Sequence, residues 1–320
     1  MDGGRRDTGG LGQGRSRMTL PPRVRIVEVG PRDGLQNEAA FLSVDAKVAF
    51  IEMLARAGLI SIEAGSFVSP KAAPQMASTG EVLEKLRGRA DLRVSVLVAN
   101  PRGLEAAFKA GARELAVFAA ASETFSRHNI NCSIAESLAR FKVMVEEAAR
   151  RGIWARGYVS CALGCPYEGA VAPAQVAAVA RELRAIGCAE VSLGDTIGVG
   201  TPLEARRLAE MVAREIGLER VAVHFHDTYG QALANIFACL EAGVTVVDSS
   251  VAGLGGCPYA PGASGNVATE DVIYMLNGLG VETGVELGAL LQAGAYISRL
   301  LNRGPASAVA RAFAAKRRSP

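Results

Sequence analysis

The chain has 320 residues, of which 49% are apolar, 21% charged and 5% aromatic, the balance of a globular protein with a large core. No apolar run reaches the roughly 18 residues of a membrane-spanning helix, so no membrane partner is expected. The formal charge of +3 sits at the ends: residues 1–20 carry +2 and residues 311–320 carry +4, leaving −3 between them, which does not support a basic surface for nucleic acid.

Residues 1–22 form a Gly/Arg-rich leader without an apolar segment or an amphipathic period. It reads as disordered, neither secretory signal nor transit peptide, and the cytoplasm is the expected compartment. A single domain is expected over 23–314, followed by a basic tail at 315–320. Six cysteines spread along such a chain imply free thiols. Cys161 and Cys165, four apart, read as ordinary buried thiols.

From about residue 24, short β-branched runs alternate with helical patterns. The predicted strands are 25–29, 59–63, 93–98, 114–118, 153–160, 190–193, 221–225 and 244–250. Amphipathic stretches lie between them at 44–57, 101–110, 134–151, 173–186, 202–216 and 231–242. Pro101, Pro173 and Pro202 stand at helix starts, where a fixed φ and a missing N–H do no harm. Gly58, Gly111, Gly152, Gly187, Gly217 and Gly243 close helices just before the next strand. Eight units with no GxGxxG after the first strand favour an α/β fold of the (β/α)8 TIM-barrel type, with additional C-terminal helices, over a doubly wound sheet.

Barrel enzymes build their sites at the C-terminal ends of the strands, and polar residues gather there. Arg32 and Asp33 follow the first strand, Glu63 ends the second, Asp195 lies just past the sixth, and His224 and His226 end the seventh. A glycine-rich loop after the eighth holds Cys257 and ends at Asn266. Residues i and i+2 of a strand share a face, so the two imidazoles can converge on one ion. Taken alone, an H-x-H pair is better explained by packing and Asn266 by a turn or N-cap, while loop capping also accounts for Glu63 and Asp195 and a buried small hydrophobe for Cys257. Their coincidence at one barrel end favours a site.

Two imidazoles, a carboxylate and a carboxamide oxygen suit Mg²⁺ or Mn²⁺ with two open positions, although Zn²⁺, Fe²⁺ or Co²⁺ remain compatible. The same set also admits a non-haem iron oxygenase. Arg32 is placed to stabilise an oxyanion, and Cys257 to enter on a loop that closes over the site. Asp227 points opposite to His226 and reads as structural. His128, Lys71 and Arg127 read as surface residues, with minor contacts to a large substrate as the alternative.

The motifs VGPRDGLQNE, SFVSPKAAPQM, NINCSIAES, GCPYEG, HFHDTYGQALAN and GLGGCPYAPGASGNVATED together closely resemble the 3-hydroxy-3-methylglutaryl-CoA lyase family, from about Val24 to the last helices. The resemblance implies a divalent-metal-dependent carbon–carbon lyase that cleaves 3-hydroxy-3-methylglutaryl-CoA to acetoacetate and acetyl-CoA, in leucine catabolism and ketone-body formation. By the same resemblance Asp33, His224, His226 and Asn266 are the cation ligands and Arg32 contacts the substrate thioester oxygen. Cys257 is the catalytic cysteine, and Glu63 and Asp195 are supporting or proton-handling acids. It also implies an acyl-CoA substrate and a homodimer. A related retro-aldol or Claisen enzyme acting on another acyl-CoA or oxo acid is the nearest alternative. A non-enzymatic RNA binder has only the basic ends in its favour.

Overall fold

The computed structural model describes residues 20–256 and 265–316. Eight strands pair in parallel, in chain order, and close into a barrel: β1 (Arg25–Glu28), β2 (Ser61–Phe67), β3 (Arg93–Val98), β4 (Glu114–Ala120), β5 (Trp154–Ser160), β6 (Glu190–Asp195), β7 (Val221–Phe225) and β8 (Val246–Ser249). The ring is closed by β8 against β1, with Arg25 opposite Val246 and Glu28 opposite Ser249. This is the expected TIM barrel, and closure leaves no strand edge exposed.

The outer layer holds α1 (Val44–Arg56), α2 (Thr79–Lys85), α3 (Pro101–Lys109), α4 (Glu123–Ile130), α5 (Ile134–Arg150), α6 (Pro173–Ala185), α7 (Pro202–Ile216), α8 (Ala232–Glu241) and α9 (Thr269–Gly278). After it come α10 (Leu287–Leu300), packed on α1, and α11 (Ala308–Lys316). Pro101, Pro173 and Pro202 open α3, α6 and α7, and the six glycines expected to end helices all have φ between 69° and 110°. Capping boxes at Ser133/Glu136 and Thr201/Glu204 start α5 and α7, satisfying amides that the first helical turn leaves free. The main apolar core lies between strands and helices.

The lumen is unusual for a barrel, whose interior layers are commonly branched aliphatics. One small cluster of Val27, Val29, Ala222 and Val246 and another of Leu97, Ala116 and Tyr158 are apolar. Much of the remainder is charged. Arg25 pairs with Glu190, Arg93 with Glu114, and Arg156 with both Glu190 and Asp248.

Three strands run beyond the sequence-based expectation. β2 continues through Ala64, Gly65 and Ser66 because a register shift between Glu63 and Gly65 restores its pairing with β3; Glu63 is therefore inside the barrel wall, not at the strand end. β4 reaches Ala120, and β6 includes Asp195 as its last residue. At the C-terminus, α11 extends to Lys316, two residues into the segment read as a tail. Cys257 and its loop to Ser264 lie outside the described residues, as do 1–19 and 317–320.

Candidate active site and metal centre

After β1 the chain enters a single π-helical turn over Gly30–Gly34, in which the amides of Arg32 and Gly34 both return to the Val29 carbonyl at 3.1 Å. Arg32 and Asp33 line a cleft of about 640 Å³ at the C-terminal mouth of the barrel, together with Tyr158, His224, His226 and Gly256. The cleft wall is apolar at Val68, Leu97, Phe118 and Ile130, and polar at Asn100 and Arg140.

Asp33, His224 and His226 each present a ligand atom, all within 4.8 Å of one another. His224 Nε2 lies 4.0 Å from Asp33 Oδ2. An isolated bridge joins His226 to Asn266, and Asn266 Nδ2 donates to Asp33 Oδ2 at 2.8 Å and to the Leu254 carbonyl at 3.1 Å. Asn266 Oδ1 is then left buried without a hydrogen-bond partner, a costly condition for an amide oxygen. A cation among these four residues would satisfy it. Two imidazole nitrogens and two oxygens without thiolate match the donor preferences of Mg²⁺ or Mn²⁺, so the residues fit the group.

The surrounding charges suit that role. Burial opposes ionisation of Asp33, but Arg32, His224 and His226 hold its carboxyl well below the usual carboxylate range. Burial, then His224, pushes His226 down to about 4, keeping its imidazole neutral and available as a ligand. Arg32 donates through Nε to Glu63 Oε2 at 2.6 Å and through Nη1 to Asp33 Oδ1. Despite burial these two carboxylates raise its pKa, so the guanidinium is a permanent cation pinned at both ends.

Glu63 is fully buried, and burial raises its carboxyl against the pull of Arg32. Its contacts are Arg32 and, at 3.4 Å, the Tyr158 hydroxyl, which makes it the anchor of Arg32 below the cleft floor. Asp195 ends β6 between Gly194 and Thr196, which line the cleft. Its side chain accepts from the Val199 and Gly200 amides at 3.2 and 2.8 Å and is absent from the cleft lining, so it folds the β6–α7 loop. Asp227 accepts from the Ala232 amide at 3.0 Å, at the start of α8. Asn266 is not an N-cap, since α9 begins after Ala268. His128 stacks on Tyr167 with ring centroids 4.5 Å apart, and Cys161 and Cys165 are buried free thiols.

Sequence reasoning missed Tyr158, Arg156, Ser192 and Asp248. The available signal was alternation: Arg156 and Tyr158 stand two apart in an apolar strand, and Asp248 interrupts another.

Fold and site define a class: a (β/α)8 barrel enzyme with a cation-ready cluster and a fixed arginine at the C-terminal mouth. The chain belongs to the HMGL-like family, whose model matches residues 23–297. It is 58% identical over 299 residues to the 3-hydroxy-3-isohexenylglutaryl-CoA/hydroxymethylglutaryl-CoA lyase of Pseudomonas aeruginosa, covering 93% of this chain and all of that one. Two mammalian relatives are similar over 92% of this chain: the mitochondrial hydroxymethylglutaryl-CoA lyase of Pongo abelii (58% identity, 90% of its length) and the cytoplasmic 3-hydroxy-3-methylglutaryl-CoA lyase of Rattus norvegicus (55%, 85%). The crystal structure of the P. aeruginosa hydroxymethylglutaryl-CoA lyase aligns with a TM-score of 0.91 over 93% of this chain and 99% of that one. An HMG-CoA lyase from Acinetobacter baumannii in complex with coenzyme A and 3-methylmalate aligns at 0.87 and 36% identity, over 91% of this chain and 95% of that one.

Proposed function

We propose that this chain cleaves 3-hydroxy-3-methylglutaryl-CoA to acetoacetate and acetyl-CoA. The observation that carries the reading is the convergence of Asp33, His224 and His226 beside the pinned Arg32, in a chain that matches the lyase family along nearly its whole barrel. The chain is a carbon–carbon lyase, and Asp33, His224, His226 and Asn266 would hold its divalent cation, Mg²⁺ or Mn²⁺.

When bound there, such an ion supplies Lewis acidity toward a tertiary alcohol and a fixed point for substrate oxygens. The remaining chemistry falls to side chains. Loss of the C3 hydroxyl proton lets C2–C3 break, leaving the ketone of acetoacetate and the enolate of acetyl-CoA. Arg32, held by Glu63 and Asp33, offers its guanidinium to the thioester oxygen as charge builds there. Being already oriented, it pays no reorganisation cost during the step. Cys257 follows Gly256, which lines the cleft, and we assign its thiol to proton transfer with C2. Protonation of that carbon completes acetyl-CoA.

Metal-loaded protein should release acetoacetate from this substrate, and chelator-treated protein should not. Folded, Mn²⁺-loaded protein without turnover would end the assignment, and a Cys257→Ala variant with full activity would end the role of that thiol. A broader substrate range is favoured by the apolar cleft wall and by the double name of the P. aeruginosa relative. Parallel assay of a 3-isohexenyl analogue tests it. We extend the proposal to a homodimer, to be read by light scattering. Among the described residues no helix is long and apolar enough to cross a membrane, and relatives of both cytoplasmic and mitochondrial designation are known.

A further inference from the structure

Beneath the cation cluster lies a carboxylate to which the mechanism above gives no task. Asp248 is on β8, directly across from His224 of β7 in the barrel register, and is 1% exposed. Its Oδ1 accepts from Arg156 Nη2 at 2.9 Å and its Oδ2 from Ser192 Oγ at 2.8 Å. The same Oδ2 stands 3.4 Å from His224 Nδ1, whereas His224 Nε2 faces Asp33 on the opposite side of the ring. The Arg156 that anchors Asp248 is itself 2% exposed and also faces Glu190 at 3.1 Å. The carboxylate is thus clamped from β5 and β6 and presents one edge to the histidine.

We propose that Asp248 is a positioning residue for the cation site, setting the tautomer and ring orientation of His224; this inference rests on the reading of His224 as a ligand. The reason is elementary. A neutral imidazole carries one N–H and one lone pair, and whichever nitrogen holds the proton cannot bind a metal. A carboxylate is acceptor-only, so Asp248 selects the N–H at Nδ1 and leaves the Nε2 lone pair directed at Asp33. Ring rotation would forfeit the Asp248 contact, and Ser192 and Arg156 prevent the carboxylate from following. Arrangements of this kind raise metal affinity about 10- to 100-fold when the outer partner is intact.

The test uses full-length protein and Mn²⁺ alone, with free Mn²⁺ followed by electron paramagnetic resonance and the histidine side chains by ¹⁵N NMR. Parent protein should bind Mn²⁺ and show His224 with its proton on Nδ1. Asp248→Asn should weaken the Mn²⁺ Kd about 10- to 100-fold and lose that tautomer signature. Activity at saturating Mn²⁺ should recover much more than affinity does. Ser192→Ala, which leaves the Arg156 pair intact, should weaken Kd in the same direction and by less, and it carries the test if Asp248→Asn does not fold. Unchanged Mn²⁺ affinity in a folded Asp248→Asn variant, or in Ser192→Ala if that is the only folded one, overturns the inference. So does a parent His224 protonated on Nε2. Parent protein that binds no Mn²⁺ overturns the metal-site reading itself, a result distinguishable from loss of binding only in the variants.

Discussion

Arg32 shows how a single side chain can serve both halves of the site. Its Nε is committed to Glu63 and its Nη1 to Asp33, so a planar fork with fixed donor angles is required, and lysine cannot span both partners. We expect Arg32→Lys to lower kcat by about 100-fold or more, in line with the loss of a preorganised oxyanion donor. Steady-state kinetics on the hydroxymethylglutaryl thioester check this, and a kcat within threefold of the parent would remove Arg32 from the enolate. The candidate histidines were legible in the sequence because only three histidines occur and two lie on one face at a strand end. Asp248 and Arg156 were not, because their partners are 56 and 92 residues away. Such a pairing exists only once eight strands have closed.

The strands and helices were read more accurately than the exact place of polar residues along them. Proline and glycine mark the starts and ends of helices through backbone sterics, which are local. The ends of β2, β4 and β6 depend on pairing with a neighbour, and Ala-Gly-Ser in β2 carries no strand signal of its own. Helix α3 illustrates a different constraint. A Cβ at Gly103 would sit 2.1 Å from the Phe67 carbonyl oxygen at the end of β2. Gly103→Ala should therefore push the helix off the strand and cost about 3 kcal/mol, read by chemical denaturation; a loss under about 0.5 kcal/mol contradicts the contact. Helix α9 carries a titration. Burial raises the Glu270 carboxyl to about 8, against acceptance from the Ala252 amide at 3.0 and 2.8 Å. The folded chain thus keeps a proton that the unfolded chain releases near pH 4.5, and stability declines as pH rises from there toward 8. Glu28, raised to about 7 by burial, adds the same sign. Glu270→Gln should flatten the decline and be more stable than the parent at pH 8.5, with little difference at pH 4.5. Parallel melting curves across that range would assign the slope elsewhere.

At the scale of the whole molecule, the barrel interior works as a polar scaffold in place of an aliphatic plug. From Arg25 and Glu190 through Arg156, one branch runs by Asp248 to His224, and another by Tyr158 and Glu63 to Arg32. Buried ion pairs of this sort contribute little net stability, yet breaking one leaves an uncompensated charge that costs about 3–5 kcal/mol. Such a scaffold exchanges stability for fixed orientation of the groups it supports. The eightfold alternation made the closed barrel legible, whereas a charged lumen could not be foreseen because each of its members looks like an isolated polar residue in a strand. The cluster at its upper end gathers Asp33 from the turn after β1, His224 and His226 from β7 and its end, and Asn266 from the segment before α9. An ion held there ties together parts of the chain more than 230 residues apart. Because the unfolded chain cannot offer that geometry, binding adds directly to stability, about 2.7 kcal/mol at a free concentration of 100 times Kd. We expect Mn²⁺ at that level to raise the melting temperature by roughly 5 °C, and chelation to reverse the gain. His226→Ala should melt at the same temperature with and without the ion. A shift that persists in that variant would place the stabilising ion somewhere other than between Asp33 and the two histidines.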